Sequence, residues 1–223
     1  MVETQQYPKE LQVKPDSLLS RWRDVLVTGF LGSGMQSTVY AVEALHRAAE
    51  RQHLASALKI YHGAYAESRS LVKKSKELHT LLERHGIPTY EYMTASKAIV
   101  GGEVRAALEM PNLTQDGAVV ITSNSFRELQ HADQAVLALI AKIDRADLSK
   151  QLEHIARRCA FLGLAVATHV YSIVVQQDGK TEVIVGDLES FFKLPPDSAL
   201  PYNLQDAAIV SGYPNVILGI GNR

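Results

Sequence analysis

Leu31-Gly32-Ser33-Gly34-Met35-Gln36-Ser37-Thr38-Val39-Tyr40-Ala41-Val42, followed after a polar interval by Ala57-Leu58-Lys59-Ile60-Tyr61, is the stretch that decides the fold. Two close glycines, Gly32 and Gly34, flank Ser33 in a turn. Thr38, Val39, Tyr40 and Val42 then have the β-branched and aromatic composition of a strand. Upstream, Asp24 to Phe30 is an apolar run. The spacing predicts a β-hairpin, residues 24–30 with 38–44, closed by the glycine turn. Glycines let backbone N–H groups approach a phosphate chain closely. Lys59 lies inside a third apolar run, residues 57–61. A lysine there is costly unless its charge meets an anionic partner, and the same phosphates would supply one. The alternative is a snorkelling lysine at a strand end.

Working outward, residues 1–24 read as a polar arm, with a short helix starting near Pro15-Asp16-Ser17 and Trp22 packing on the domain after it. The interval His46 to Leu54 is polar, either a long loop or a helical insertion. Residues 65–85 carry a helical pattern, with Leu71, Leu78, Leu81 and Leu82 at helical spacing, and Gly86-Ile87-Pro88 stops the helix. Tyr90–Thr94 and Lys97–Val100 read as short strands with Ala95-Ser96 as a turn, and Val104–Met110 as another strand ended by Pro111-Asn112. The second half changes character. Ala132–Ile143 and Leu148–Ala167 are helical with one apolar face. Ile173–Val175 and Glu182–Val185 are short strands joined across a turn marked by Asp178-Gly179. Asp187 comes directly after them.

The chain of 223 residues is 46% hydrophobic and 21% charged, with a formal net charge of -1. That length holds one domain or two lobes. The charge balance gives no support to a nucleic-acid binder. The single cysteine, Cys159, excludes an intramolecular disulfide and a cysteine-rich zinc site. It sits in an apolar helical stretch and reads as a core residue. No stretch reaches the ~18 uninterrupted apolar residues of a membrane span. The polar start, Met1 to Glu10, lacks the apolar centre of a signal peptide. A cytoplasmic location is expected, and an effector exported without a cleaved signal reads the same.

The glycine turn, the A-L-K-I-Y strand and the strand ending in Asp187 resemble the protein kinases, whose Gly-rich loop, strand lysine and metal-binding aspartate occur in this order. The similarity covers about residues 25–192. Ser37 occupies the third small position of the loop. The rival reading, a dinucleotide-binding turn, lacks its third glycine and leaves A-L-K-I-Y unexplained. The resemblance implies an α+β, two-lobed protein-kinase-like fold: a five-stranded antiparallel N-lobe over residues 25–112 and a truncated, mostly helical C-lobe over 113–223. It implies ATP over Gly32, Ser33 and Gly34, held by Lys59, with Glu77 as the helix acid paired to that lysine and Glu67 as the alternative acid. Glu109 and Met110, in Leu108-Glu109-Met110-Pro111-Asn112, take the hinge positions whose backbone meets adenine. Asp187, in D-L-E rather than D-F-G, takes the Mg²⁺ position.

The departure lies between them. Counting back from Ile173 puts Ser172 where the family has its asparagine, Ala167 where it has the catalytic aspartate and Ala165 where it has the histidine. Alanine cannot accept a proton. His169 is the one group nearby whose usual titration range suits catalysis. The resemblance therefore implies a pseudokinase, similar to small bacterial kinase-like regulators and injected effectors, acting through a protein partner. Two alternatives stay open. One is an atypical kinase or nucleotidyl transferase using Lys59, Glu77, Asp187 and His169. The other is an interaction scaffold without nucleotide.

Overall fold

The computed structural model describes residues 7–16, 20–34, 36–44, 56–66 and 69–219. The expected helix near Ser17, the interval His46 to Leu54, Met35 and Glu67 lie wholly or mainly outside them. The chain divides into two compact units, residues 1–77 with 91–112 and residues 78–90 with 113–223.

The first unit is an antiparallel barrel. Its strands are β1 (Glu10–Pro15), β2 (Arg23–Ser33), β3 (Ser37–Ala44), β4 (Ser56–Tyr61), β5 (Thr94–Val100) and β6 (Glu103–Pro111). They close in the order β1-β2-β3-β4-β6-β5, with β1 pairing back onto β5. This corrects the expected five-stranded sheet to six strands. Residues 10–15, read as part of a polar arm, alternate apolar and polar side chains and turn Leu11 and Val13 inward, both buried. Inserted between β2 and β5, they cover two edges that an open sheet would leave free. Leu11, Val13, Val25, Val27, Val42, Leu58, Ile60, Ala98 and Ala107 fill the barrel. Register shifts at Val27/Gly29 and Phe30/Gly32 bend β2, as bulges do where a sheet must curl.

The expected strands and turn over residues 90–100 also change. Ala95 and Ser96 lie within β5 rather than in a turn, and residues 90–93 are not strand. Trp22 is 39% exposed.

Helix α1 (Arg69–Arg84) turns Val72, Ser75, Leu78, His79 and Leu82 inward. It ends as its sequence requires. Gly86 has φ 58°, its N–H bonds to Glu83 O at 2.9 Å, and the N–H of Ile87 bonds to Leu82 O at 2.9 Å. This is the paired closure that a glycine after a helix permits.

The second unit contains β7 (Val119–Ile121), α2 (Phe126–Leu129), α3 (Gln134–Ile140), α4 (Arg145–Phe161), β8 (Leu164–Ala165), β9 (Tyr171–Val175), β10 (Thr181–Val185), β11 (Phe192–Lys193), α5 (Pro196–Ser211) and α6 (Tyr213–Ile217). Two small sheets form, β10-β9-β7 and β11-β8. Asp144 caps α4, its side chain accepting from the N–H groups of Ala146 at 2.9 Å and Asp147 at 3.1 Å. Leu148, Leu152, Ile155, Ala156, Cys159 and Ala160 form the buried stripe of α4, against which α5 packs. Cys159 is thus a core residue. Its burial pushes the thiol up to about 12.

Candidate functional site

The first unit carries the glycine turn and Lys59. Ser33 pairs with Thr38 across the β2–β3 hairpin. The Gly34 N–H donates to Ser37 O at 2.9 Å. A Cβ placed on Gly32 or Gly34 meets no heavy atom within 4 Å, so packing does not demand a missing side chain at either position. Among the described residues, the space where those side chains would stand is open.

Lys59 sits mid-strand in β4 and is buried. Strand alternation puts Leu58 and Ile60 in the barrel interior and Lys59 with Tyr61 on the outer face. The ammonium lies 5.6 Å from the centre of the Tyr61 ring. Register joins it to the turn: Gly32 opposes Val39, and Val39 opposes Lys59. Turn glycine and lysine therefore stand in one cross-strand row.

Glu77 is exposed on α1 and faces Lys73 at 3.7 Å, an i,i+4 surface pair with its side chain 68% accessible. The helix presents Ser75 and His79 on its buried side instead. Glu67 lies outside the described residues.

Glu109 is engaged as a side chain. Its carboxylate accepts from Ser96 Oγ at 2.6 Å and from the Arg23 guanidinium. Arg23 is on β2 and Ser96 on β5, so Glu109 links three strands. Its backbone is flanked by Leu58 on one side and Thr94 on the other. Met110 faces Ala57, and β5 starts opposite Glu109, so the β5 pairing does not reach Met110.

The second unit carries Asp187 and His169. Asp187 comes after β10 in a left-handed conformation, φ 44° and ψ 50°, which aspartate tolerates better than most residues. Ser190 Oγ donates to Asp187 Oδ2 at 2.7 Å. His169 Nε2 lies 3.9 Å from the same oxygen. A Cβ on the preceding Gly186 would stand 2.5 Å from the Tyr90 hydroxyl, so that ring would have to shift to admit a side chain. Residues 88–90 flank the end of β10, where Val185 N–H donates to Pro88 O at 2.9 Å and Thr89 Oγ1 donates to Val185 O at 2.9 Å.

Ala167 caps the single turn Thr168–Val170, and Ala165 is buried in β8. Ser172 is buried in β9 opposite Ile184. Within residues 165–172, Tyr171 is fully buried, which leaves His169 as the accessible titratable side chain.

Two residues here had no sequence signal. Asn203, fully buried on α5, holds the segment from beneath. Its Oδ1 accepts from Val166 N–H at 2.8 Å, and its Nδ2 donates to Leu164 O at 2.9 Å and Ala156 O at 3.2 Å. Asp206, one turn later, has its pKa raised by burial, with the Tyr202 hydroxyl bond and the charge of His169 pulling the other way. Both lie in a proline-interrupted tail that matches no motif.

The turn and Lys59 fit a phosphate chain: open space at the glycines and a buried cation. The fit to Mg²⁺ is narrower. Among the described residues no cluster of three His, Cys, Asp or Glu could hold a metal. Asp187 would be a single protein carboxylate, with phosphate and water supplying the remaining ligands, an arrangement Mg²⁺ accepts.

Two solved structures share the fold. The kinase domain of a Toxoplasma gondii specific rhoptry antigen aligns with TM-score 0.51 and 14% identity, over 86% of this chain and 57% of that one. ROP2 of Toxoplasma gondii, described as a virulence factor with a protein-kinase fold and no enzymatic activity, aligns with TM-score 0.53 and 10% identity, over 93% of this chain and 68% of that one. The fold is protein-kinase-like. No family model matches the sequence, and no curated protein matches it significantly. The kinase-like chain spans little more than half the length of the first of these structures. Neither supports a bacterial source. No helix among the described residues is long and apolar enough to cross a membrane.

Proposed function

We propose that this kinase-like chain is a pseudokinase: it binds a nucleotide, transfers phosphate poorly or not at all, and acts through a protein partner. The observation that carries the reading is the segment 165–172, where no carboxylate stands and the one accessible titratable side chain is His169. Phosphoryl transfer rests on positioning and electrostatics, with a carboxylate taking the acceptor's proton. Loss of a general base alone costs on the order of 10²–10⁴ in rate. Nucleotide binding is supported by the row that joins Gly32 to Lys59 and by the open space where side chains on Gly32 and Gly34 would stand. Bound ATP would bring its phosphates to Lys59, and Asp187 is the carboxylate that would serve Mg²⁺. The test is a melting curve of the full chain with Mg-ATP. A ligand at about 100 times its Kd adds about 2.7 kcal/mol, whereas an unchanged curve at millimolar Mg-ATP favours a scaffold without nucleotide.

One contact favours a second reading, an atypical kinase or nucleotidyl transferase. His169 Nε2 lies 3.9 Å from Asp187 Oδ2, close enough for an imidazole to act beside that carboxylate. Lys59, Glu77 and Asp187 would serve this version with His169, and Glu77 is exposed on α1. Transfer of the ATP γ-phosphate or nucleotidyl group that is lost in His169→Ala, with Mg-ATP binding intact, would establish it.

A further inference from the structure

A groove on the second unit lies apart from Asp187 and His169. Pro88, Lys150, Gln151, His154 and Ile155 enclose about 330 Å³ beside β10. Its apolar surface is half-buried Pro88, with Ile155 almost fully buried beneath. Gln151 is fully committed: its Nε2 donates to Asp147 Oδ2 at 2.7 Å and to Thr181 O at 3.0 Å, and its Oε1 accepts from Val183 N–H at 3.0 Å. With Val185 already bonded to Pro88 and Thr89, the β10 edge is occupied. An occupant of the groove is therefore recognised by side chains rather than by strand pairing.

The rim has one chemical character. Lys150 and His154 are exposed and stand one helical turn apart on α4. Among the described residues neither takes part in an ion pair, whereas the acids around them are engaged. Asp147 accepts from Gln151, Glu153 holds Arg157 at 2.6 Å, and Glu83 faces His79 at 3.4 Å. No carboxylate lines the groove. An apolar surface under unpaired nitrogen donors complements an apolar side chain flanked by acids. The volume is at the small end of the range for ligand pockets, about 300–1,000 Å³, which suits one anchored side chain.

We propose that this groove docks an acidic segment of a partner protein, one apolar side chain resting on Pro88 and carboxylates reaching Lys150 and His154. This rests on the partner-directed reading above and names where the partner binds and by what chemistry.

The test is fluorescence anisotropy of a fluorescein-labelled Asp-Glu-Leu-Phe-Asp-Glu peptide with the full chain at about 0.15 M salt, where exposed charges are screened beyond about 8 Å. Saturable binding is expected, weakened about tenfold or more by Lys150→Glu with His154→Glu, and by replacing the peptide's acids with lysines. Arg145→Glu, the same reversal on α4 outside the groove, should leave binding within about twofold. Equal binding by the double variant overturns the proposal. So does an equal loss in Arg145→Glu, which would mean diffuse charge attraction. Tighter binding of phosphatidylserine vesicles or single-stranded RNA through Lys150 and His154 also overturns it. The peptide readout needs no nucleotide, so a missing Mg-ATP melting shift counts against nucleotide binding and not against the groove.

Discussion

Gly32 and Lys59 stand in one cross-strand row, two strands apart, with Val39 between them. Strands lie about 4.8 Å apart, so the turn backbone and the lysine strand are separated by roughly 10 Å. A phosphate chain can bridge such a gap. Lys59→Met keeps the length and apolar stem of the side chain and removes its charge. The fold should survive with little change in stability, while the Mg-ATP melting shift falls by about 2 kcal/mol, the scale of a charge-assisted contact. Parallel melts of both proteins, with and without nucleotide, check this.

Asn203 makes three hydrogen bonds to backbone groups of the α4–β8 region while fully buried. Asn203→Ala leaves Val166 N–H and two carbonyls without their partner. The expected loss is about 2–4 kcal/mol, read as a lower midpoint in urea unfolding. Asn203→Asp should be no milder, because a carboxylate cannot donate to Ala156 and Leu164. A loss under about 0.5 kcal/mol in both variants would show that the segment is held by other contacts.

Hairpin, lysine strand and Asp187 were legible because each rests on local chemistry: a glycine turn, a β-branched run, a carboxylate after an apolar strand. The closing strand was not. Glu10-Leu11-Gln12-Val13 alternates strictly, but half of its residues are polar, and only closure against β2 and β5 gives Leu11 and Val13 something to face. The exposure of Glu77 is not legible in the sequence for a related reason. The leucines at 78, 81 and 82 suggested a stripe beside it, whereas the buried side runs through Val72, Ser75, Leu78, His79 and Leu82. Two polar residues on that side, Ser75 and His79, hid its direction. Glu109 was read for its backbone, and its side chain belongs to a pairing across β2, β5 and β6 that no local pattern encodes.

That pairing gives a further expectation. Arg23 and Glu109 lie on strands that are not neighbours in the barrel. The Arg23 side chain is 47% exposed, so solvent screening limits the pair. A double-mutant cycle with Arg23→Ala and Glu109→Ala should give a coupling of about 1 kcal/mol. Glu109→Ala should leave any Mg-ATP shift intact if this strand meets nucleotide through its backbone.

Cys159 is buried and its thiol is pushed up to about 12 from 9.0. At pH 8 the folded chain should resist a water-soluble disulfide reagent and react only on unfolding. Above about 9 the thiol of the unfolded chain ionises while the folded one stays protonated, so Cys159 costs stability as pH rises from 9 toward 12. Cys159→Ala should lose stability with a shallower slope than the unaltered protein across that window, as measured by urea unfolding at stepped pH. Rapid labelling of the native chain would contradict the burial.

The central claim is a kinase-like fold that keeps a nucleotide without spending it. The most direct measurement tracks the γ-phosphate of labelled Mg-ATP under single-turnover conditions, with the full chain in excess and a general acceptor protein present. The expected result is label retained on ATP over hours, in samples whose melting curves show the nucleotide bound. Label moving to the chain, to the acceptor or to water at a rate abolished in Asp187→Ala would contradict it.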